Sequence, residues 1–224
     1  MLYELQQRCG EKLRASDGEI GHVKDFYFDD KDWTVRYLVA DTGGWLAGRL
    51  VLIAPQALGH LHPAGKVLLV NLTREQIKSS PSIDEHKPIF RQQEEEYYQH
   101  YGYQYYAESW PLWGLAGYPV MVPPPPATET KKRGVDSHLR SAREVAGYKV
   151  ETSDGAIGEV TDFMVDGRTW VIREIVVDCG HWYSGKKIIV PTGKVSRISY
   201  EEGTFYVDST KSALMEAAEA EATV

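Results

Sequence analysis

The stretch Ser16-Asp-Gly-Glu-Ile-Gly-His-Val-Lys-Asp-Phe26 decides the fold, because it recurs as Ser153-Asp-Gly-Ala-Ile-Gly-Glu-Val-Thr-Asp-Phe163. The two copies lie 137 residues apart, and the alignment continues without a gap to residue 53 of the first copy. Across the 38 aligned positions 16 residues are identical. Unrelated sequences of ordinary composition would share about two or three. A match of this length predicts two copies of one fold rather than the short period of a solenoid.

Each copy has the pattern of β-strands separated by turns. Asp17-Gly18 and Asp154-Gly155 are typical hairpin turns, because glycine accepts positive φ and aspartate bonds to nearby backbone. The β-branched and aromatic runs predict strands at Ile20–Phe28, Trp33–Asp41, Leu50–Ile53 and Lys66–Asn71, and at Ile157–Val165, Trp170–Asp178, Ile188–Val190 and Gly203–Asp208. We therefore expect mainly β structure in both copies.

Two finer features recur at equivalent positions of the copies. Val23 and Val160 break the alternation of their strands, which predicts a β-bulge at the same place in each copy. Thr73 and Thr210 follow the last strands and are predicted to be helix N-caps, with Gln76 completing a capping box in the first copy. Each sheet should therefore be followed by a short helix.

A segment of different composition joins the copies, and we call residues 81–137 the connector. It contains six tyrosines between residues 97 and 106, then Trp110 and Trp113, and four consecutive prolines at 123–126. The prolines predict a stiff, extended spacer. The sequence thus divides into a first domain at residues 1–80, the connector, and a second domain with a C-terminal helix at residues 138–224.

Composition excludes several classes of protein. The chain has 224 residues, 42% of them hydrophobic and 25% charged, which is typical of a soluble globular protein. Its net charge is −7 and no long segment is net basic, so nucleic-acid binding is not favoured. No apolar run of about 18 residues predicts a transmembrane segment. Only Cys9 and Cys179 are present, which predicts neither a disulfide framework nor a cysteine zinc site and suits the cytoplasm.

The repeated string Asp-Gly-x-Ile-Gly-x-Val-x-Asp-Phe, followed by Trp, Arg, Val-x-Asp, Gly-x-Trp and Gly, resembles the PRC-barrel domain. The resemblance covers residues 10–80 and 147–212, and the segment 138–147 resembles the junction in tandem proteins of this family. It implies two small six-stranded β-barrels, each followed by a short helix, arranged side by side with pseudo-twofold symmetry. The aromatic, proline-rich connector lies between them in sequence.

The resemblance implies more than one function. PRC-type barrels occur in the cytoplasmic part of the photosynthetic reaction-centre H subunit and in the ribosome-maturation protein RimM. The first parallel implies a regulator of electron or proton transfer, and the second implies a ribosome or RNA-processing factor. A fold shared by unrelated proteins does not fix one function, and both readings remain alternatives to a general protein-interaction module.

Charged and turn residues shared by the copies are candidates for a site. Asp25 and Asp41, with Arg36 between them, have equivalents in the second copy and could form an acid/base or metal cluster. A catalytic site need not be duplicated, whereas residues that specify a fold would be. We therefore interpret the shared set as fold-specifying: Asp17, Gly18, Gly21, Asp25, Arg36 and Asp41, and Asp154, Gly155, Gly158, Asp162, Arg173 and Asp178.

Aromatic residues are the candidates for contact with a partner. Trp33 and Trp170 are expected to be structural, because a tryptophan repeated in a small barrel is usually part of its core. Tryptophan and tyrosine in turns and in the connector are instead typical of interfaces. The interaction candidates are Trp45, Trp182, Tyr97, Tyr98, Tyr101, Trp110 and Trp113.

Catalytic and metal-binding patterns are weak in this sequence. His60 and His62 alternate and could share a metal, but the second copy has no equivalent pair and no third ligand lies nearby. We expect a non-enzymatic protein without a cofactor or a metal. The sequence predicts a cytoplasmic interaction or assembly module that binds an unidentified protein partner and forms a homodimer. The aromatic connector is expected to pack either on a barrel or on another subunit.

Overall fold

The computed structural model describes residues 1–58, 67–80, 139–180 and 185–221. The first half contains β1 (Leu2–Glu4), β2 (Lys12–Ala15), β3 (Gly18–Asp29), β4 (Thr34–Asp41), β5 (Leu50–Ile53), β6 (Val67–Leu69) and α1 (Arg74–Lys78). The second half contains β7 (Leu139–Ser141), α2 (Ala142–Val145), β8 (Lys149–Thr152), β9 (Gly155–Asp166), β10 (Ile172–Asp178), β11 (Lys187–Pro191), β12 (Val195–Ser199), β13 (Thr204–Val207) and α3 (Lys211–Glu221). Mainly β structure in two copies, each followed by a helix, is confirmed.

The two sheets share the same strand order over five strands, and the second has one further described strand, β12. The first runs in the order β5-β4-β3-β2-β6 and the second in the order β11-β10-β9-β8-β13-β12. Neighbouring strands are antiparallel except for β2 with β6 and β8 with β13, which are parallel. The strand order therefore repeats, as the gapless alignment requires.

Closed barrels, which the resemblance implied, are not what the described residues form. Each sheet follows an open path with two edge strands, and the first half has five described strands on that path rather than six. The open sides do not leave the cores exposed, because the buried side chains of both halves form one continuous cluster. Each half is thus closed by packing against the other half and not by its own sheet.

The predicted bulges are confirmed in both copies. Val23 pairs with Ala40 and Asp25 with Val39, so Lys24 is an extra residue in β3. Thr161 occupies the same position in β9. The bulge explains why the hydrophobic alternation is interrupted at this point, because one inserted residue reverses the faces of all those that follow.

The helices are tied to the hairpin turns that begin each copy. Thr73 and Gln76 form the predicted capping box of α1, and the Asp17 carboxylate accepts a hydrogen bond of 2.8 Å from the Arg74 amide. In the second half the Asp154 carboxylate accepts an equivalent bond of 2.9 Å from the Lys211 amide. None of the helices in the described ranges is long and apolar enough to cross a membrane.

Reciprocal arms join the halves, and sequence reasoning did not anticipate them. Strand β1, which precedes the first copy, pairs with β9 of the second half, from Leu2 opposite Asp166 to Glu4 opposite Met164. Strand β7, which precedes the second copy, pairs with β3 of the first half in the equivalent register. An isolated bridge between Thr34 and Val171, positions that are themselves equivalent, lies between the sheets. Each sheet therefore gains a strand that the chain places before the other copy.

The shared core is aromatic where the halves meet. The rings of Phe28 and Phe163 have centroids 5.6 Å apart. Trp33 of the first half lies 6.3 Å from Phe205 of the second, and Trp170 lies 6.3 Å from Phe26 of the first. Such pairs stabilise the packing by about 0.5–1.5 kcal/mol beyond the burial of their area.

Alanine in place of Gly21 should destabilise the first half, because the added Cβ would lie 1.9 Å from the backbone oxygen of Asp41. The same holds for Gly158, where it would lie 2.0 Å from the oxygen of Asp178. We expect Gly21→Ala to lower the free energy of unfolding by at least about 2 kcal/mol in urea titrations. Gly44→Ala is the control, since nothing lies within 4 Å of its new Cβ. Equal losses in both variants would contradict the close approach.

The continuous core predicts that both halves unfold together. Phe163→Leu should lower the free energy of unfolding by about 1–2 kcal/mol, and hydrogen exchange should accelerate by the same factor in β3 and β9. The equivalent substitution Phe26→Leu should give the same pattern. Faster exchange in β9 alone, or two separate transitions by calorimetry, would show that the halves are independent.

Candidate functional site

The repeated aspartates Asp25 and Asp162 hold the reciprocal arms. Asp25 Oδ1 accepts hydrogen bonds from the amides of Phe26 and Arg143, at 2.7 and 3.1 Å, and its Oδ2 accepts one from the Ser141 hydroxyl. Ser141 is the N-cap of α2, so Asp25 binds the start of a helix that belongs to the other half. The carboxylate thus supplies acceptors that a helix terminus lacks.

Asp162 does the same for the first arm. Its Oδ1 accepts hydrogen bonds from the amides of Phe163 and Gln6, at 2.7 and 2.9 Å. Gln6 begins the 3₁₀ helix Gln6–Arg8, and its side chain reaches across to the Ala142 carbonyl at 3.1 Å. Both arms are therefore fixed by one aspartate of the opposite half and contact each other.

Burial raises the pKa of both carboxyl groups, against the opposite effect of their hydrogen bonds. The chief bonds are those of Asp25 with Ser141 and of Asp162 with the Gln6 amide. Hydrogen bonds from amides stabilise the charged form of a buried carboxyl group. Burial favours the neutral form, because it removes the water that would solvate the charge. The geometry accounts for these residues as structural connectors, since both oxygens of Asp25 and Oδ1 of Asp162 accept hydrogen bonds from backbone and hydroxyl donors.

The other repeated charges lie in separate networks. The Asp41 and Asp178 carboxylates each accept a 2.8 Å hydrogen bond from an amide two residues later, Gly43 and Gly180. Asp25 and Asp41 thus bind different parts of the backbone. Among the described residues, no group of three or more histidine, cysteine or acidic side chains is placed to hold a metal ion.

The two repeated arginines differ from each other. Arg36 forms ion pairs with Asp32 and, at 3.7 Å, with Asp29. Arg173 is exposed, and Thr169 occupies the position equivalent to Asp32. The ion pairs of Arg36 therefore involve neither Asp25 nor Asp41, and the Asp32 partner is not repeated in the second copy.

Trp33 and Trp170 lie at the contact between the halves. Both have left-handed backbone, with φ of 60° and 58°. The Trp33 carbonyl accepts a 2.7 Å hydrogen bond from the Ile172 amide, and the Trp170 carbonyl accepts one of 2.8 Å from the Val35 amide. A left-handed conformation is unfavourable for a bulky residue, so these reciprocal bonds help to hold it.

Trp45 is the only interaction candidate in the described ranges. It is half-buried against the core, and the Arg74 guanidinium lies 4.5 Å from the centre of its ring. The candidates that lie outside the described residues are Trp182, Tyr97, Tyr98, Tyr101, Trp110 and Trp113, and His60 and His62 also lie outside them. The expectation that the histidine pair holds no metal, the packing of the connector and the homodimer all stay predictions.

The cysteines have no features of reactive thiols. Both are free, with Cys9 half-buried and Cys179 buried. Burial, together with nearby carboxylates, raises the pKa of each thiol to about 11. A nucleophilic cysteine needs a thiolate, and at neutral pH these two are protonated.

A half-open groove lies where the second arm meets the first sheet. Its cavity has a volume of about 460 Å³ and is lined by apolar, acidic and basic side chains. The lining residues are Lys24, Asp25, Tyr27, Val39, Leu50, Ser141, Arg143 and Glu144. The bulge brings Lys24 to this place, β4 and β5 supply Val39 and Leu50, and the arm contributes the exposed Arg143 and Glu144.

The groove is not symmetric, although the frame around it is. Asp25 and Val39 have identical equivalents in the second half, Asp162 and Val176. The other lining positions differ: Lys24, Tyr27, Leu50, Ser141, Arg143 and Glu144 correspond to Thr161, Met164, Lys187, Glu4, Gln6 and Gln7. The aspartate that binds the arm is thus present in both halves, whereas the charged and apolar side chains that line most of the groove occur in the first half only.

A second unrepeated network lies at the junction, and sequence reasoning missed it. Asp30, in the turn after β3, accepts hydrogen bonds from Arg140 Nε at 3.0 Å and from the Tyr200 hydroxyl. The Arg140 guanidinium lies 3.6 Å from the centre of the Tyr200 ring. Burial and the bond to Asp30 raise the pKa of Tyr200. No sequence signal could have found this triad, because Gly167, Tyr3 and Pro63 stand at the equivalent positions.

These observations define a class: a tandem protein of two small β-domains, joined by exchanged arms, with a groove at their junction. The family model of the PRC-barrel domain matches residues 10–77 and 138–214. Since the two matches cover well over half of the chain, the protein belongs to the PRC-barrel family. A comparison with curated proteins found no match.

The buried aspartates predict a defined pH dependence. Their pKa is raised above the ordinary value of 3.8, so their contribution to stability is fully present below pH 3.8 and is lost as the pH rises through the raised pKa. Asparagine keeps the Oδ1 acceptor without the charge. We therefore expect the free energy of unfolding of Asp25→Asn and Asp162→Asn to fall less than that of the wild type between about pH 4 and pH 7.

Asp25→Ala is the matched comparison for this prediction. It removes both acceptor oxygens and should lower the stability by about 1–3 kcal/mol at each pH. Urea unfolding at several pH values measures both effects. A steeper decline with rising pH in Asp25→Asn than in the wild type would contradict the assignment.

Proposed function

We propose that this protein is a cytoplasmic, non-catalytic interaction or assembly module that binds a protein partner at the groove. The observation that carries the proposal is the asymmetry of the groove. Six of its lining positions differ between two halves that otherwise keep the same strand order, bulges and arm contacts. A surface that diverges on a conserved frame is where a binding function is added to a fold.

The chemistry of the groove suits a protein segment. Val39, Leu50 and the half-buried Tyr27 give an apolar floor. Arg143 and Glu144 lie exposed at its rim, and Lys24 adds a second cation. An apolar centre with a charged rim of both signs is the usual anatomy of a protein–protein contact. It fits an apolar side chain flanked by charged residues.

The repeated carboxylates support a non-catalytic role. Asp25 directs both of its oxygens, and Asp162 directs Oδ1, at donors that begin the arms, while Asp41 and Asp178 each direct Oδ1 at an amide in a turn. A general acid or base must reach a substrate, whereas these oxygens are bonded to the chain itself. The simpler explanation of their duplication is that these aspartates are structural hydrogen-bond acceptors in both copies.

Reversal of charge at the rim should weaken partner binding. The test is affinity capture from the native cell with the wild type and with the double variant Lys24→Glu, Arg143→Glu. We expect the partner's affinity, measured by calorimetry with the purified partner, to fall at least about tenfold. Lys187→Glu is the control, because Lys187 is exposed at the position equivalent to Leu50.

The outcomes separate the candidate functions. A partner bound equally well by the double variant would exclude the groove as the binding surface. Capture of ribosomal particles would favour a ribosome-maturation role, and capture of a photosynthetic complex would favour a regulator of electron or proton transfer. Failure to capture any partner would contradict the interaction module.

A further inference from the structure

Strands β2 and β6 of the first half carry two exposed aliphatic side chains on the outer side of the sheet. Val67 and Leu69 of β6 are 44 and 55% exposed, whereas the residues that alternate with them are buried. The strands pair in register, and the exposed cations Lys12 and Arg14 lie opposite these two residues. Paired residues point to the same side of a sheet, so each aliphatic side chain lies beside a cation.

This surface extends onto strand β3. His22 pairs with Lys12, and Glu19 pairs with Arg14. The His22 side chain is half-exposed, and its Nε2 lies 3.9 Å from the Asp41 carboxylate. Single exposed aliphatic residues are common, but two on one strand face with charged residues around them are typical of a contact surface. We call this surface the first-half face, and it consists of Lys12, Arg14, Glu19, His22, Val67 and Leu69.

The equivalent surface of the second half is more acidic. Glu151 stands at the position of Arg14, and Glu159 stands at the position of His22. Glu159 is exposed and Glu151 is half-buried. The second half thus has two anions where the first half has a cation and a histidine. We call this surface the second-half face, and it consists of Lys149, Glu151, Ala156, Glu159, Thr204 and Tyr206.

Tyr206 is the counterpart of Leu69 and forms the apolar part of the second-half face. It lies opposite Glu151 of β8, and its hydroxyl donates a hydrogen bond of 2.9 Å to Glu202 Oε2. The Arg197 guanidinium lies 4.2 Å from the centre of its ring. These contacts fix the ring among charged groups, and a fixed aromatic ring is a favourable contact for aliphatic side chains.

We propose that the two faces bind each other between copies of this chain, with the first-half face of one molecule on the second-half face of the next. Val67 and Leu69 then pack on Tyr206 of the second copy, and Arg14 lies near its Glu151. Charge complementarity supports this arrangement. Two first-half faces would bring cations together, and two second-half faces would bring glutamates together.

The contact joins two different surfaces, so each molecule keeps one face free for a further copy. Such a heterologous contact produces an open chain of molecules unless its geometry closes a ring. Each face is small compared with a standard interface, so the association is weak and depends on protein concentration. The inference does not depend on the proposed partner, since no residue of either face lines the groove.

Sedimentation velocity of the full-length protein tests the contact. The average mass of the wild type should rise with concentration at low ionic strength, where charge pairs are least screened. Arg14→Glu and Glu151→Arg should each lower the association constant at least about tenfold, because each brings like charges together. Arg173→Glu is the control, because it alters the net charge by the same amount as Arg14→Glu at an exposed position outside both faces.

A second pair of variants tests the apolar part of the contact. Leu69→Ser should lower the association constant at least about fivefold, because it removes the aliphatic side chain that packs on the ring. Ile189→Ser is the control, since it removes a side chain that is 39% exposed on a strand outside both faces. It should leave the association unchanged.

An equimolar mixture of the two charge variants separates this contact from other modes of self-association and from misfolding. Glu151→Arg has an intact first-half face, and Arg14→Glu has an intact second-half face. The mixture should therefore associate although neither variant does so alone. A wild type that stays monomeric at every concentration, association that survives both substitutions, or a mixture that stays monomeric would each overturn the proposal. Partner capture at the groove has no bearing on these outcomes.

Discussion

The exchange of arms across a shared core is the constraint on which the rest of the structure depends. Each sheet is open, and its buried side chains meet those of the other half instead of being enclosed by further strands. Burial of apolar area drives the contact, since it is the largest favourable contribution to folding. The arms then add backbone hydrogen bonds that side-chain packing alone would not supply. Neither half is therefore a complete domain by itself.

Residues that are identical in both copies stabilise the exchange of arms, whereas residues that differ between the copies line the groove. Asp25 and Asp162 bind the helix starts of opposite arms, and Gly21 and Gly158 allow a backbone carbonyl to approach closely. Lys24, Leu50 and Arg143 have no counterparts of the same kind and meet in one groove. Identity between the copies thus marks the frame, and difference between them marks the surface.

The sequence predicted much of the frame and little of its assembly. Local patterns sufficed for eight of the strands, for the bulges beside Val23 and Val160 and for the Thr73 capping box, because each depends on neighbours in the chain. They missed the short strands β2, β8 and β12. The pairing of β1 with β9 could not be found this way, since the three-residue strand of each arm has no periodicity to detect. The Asp30–Arg140–Tyr200 network could not be predicted either, because its members are far apart in sequence and occur once. The groove became visible only when the arm placed Arg143 beside Lys24.

Covalent linkage gives the exchanged arms a property that two separate molecules would not have. If single-copy subunits exchanged β1-like arms, the pair would dissociate on dilution, whereas in this chain the partner is always present at the high effective concentration that a tether provides. Linkage also frees each side chain from being altered in duplicate. In a symmetric dimer a substitution at residue 50 would appear twice, but here leucine and lysine can occupy the two equivalent places. One ancestral surface has in this way become two that are inherited independently.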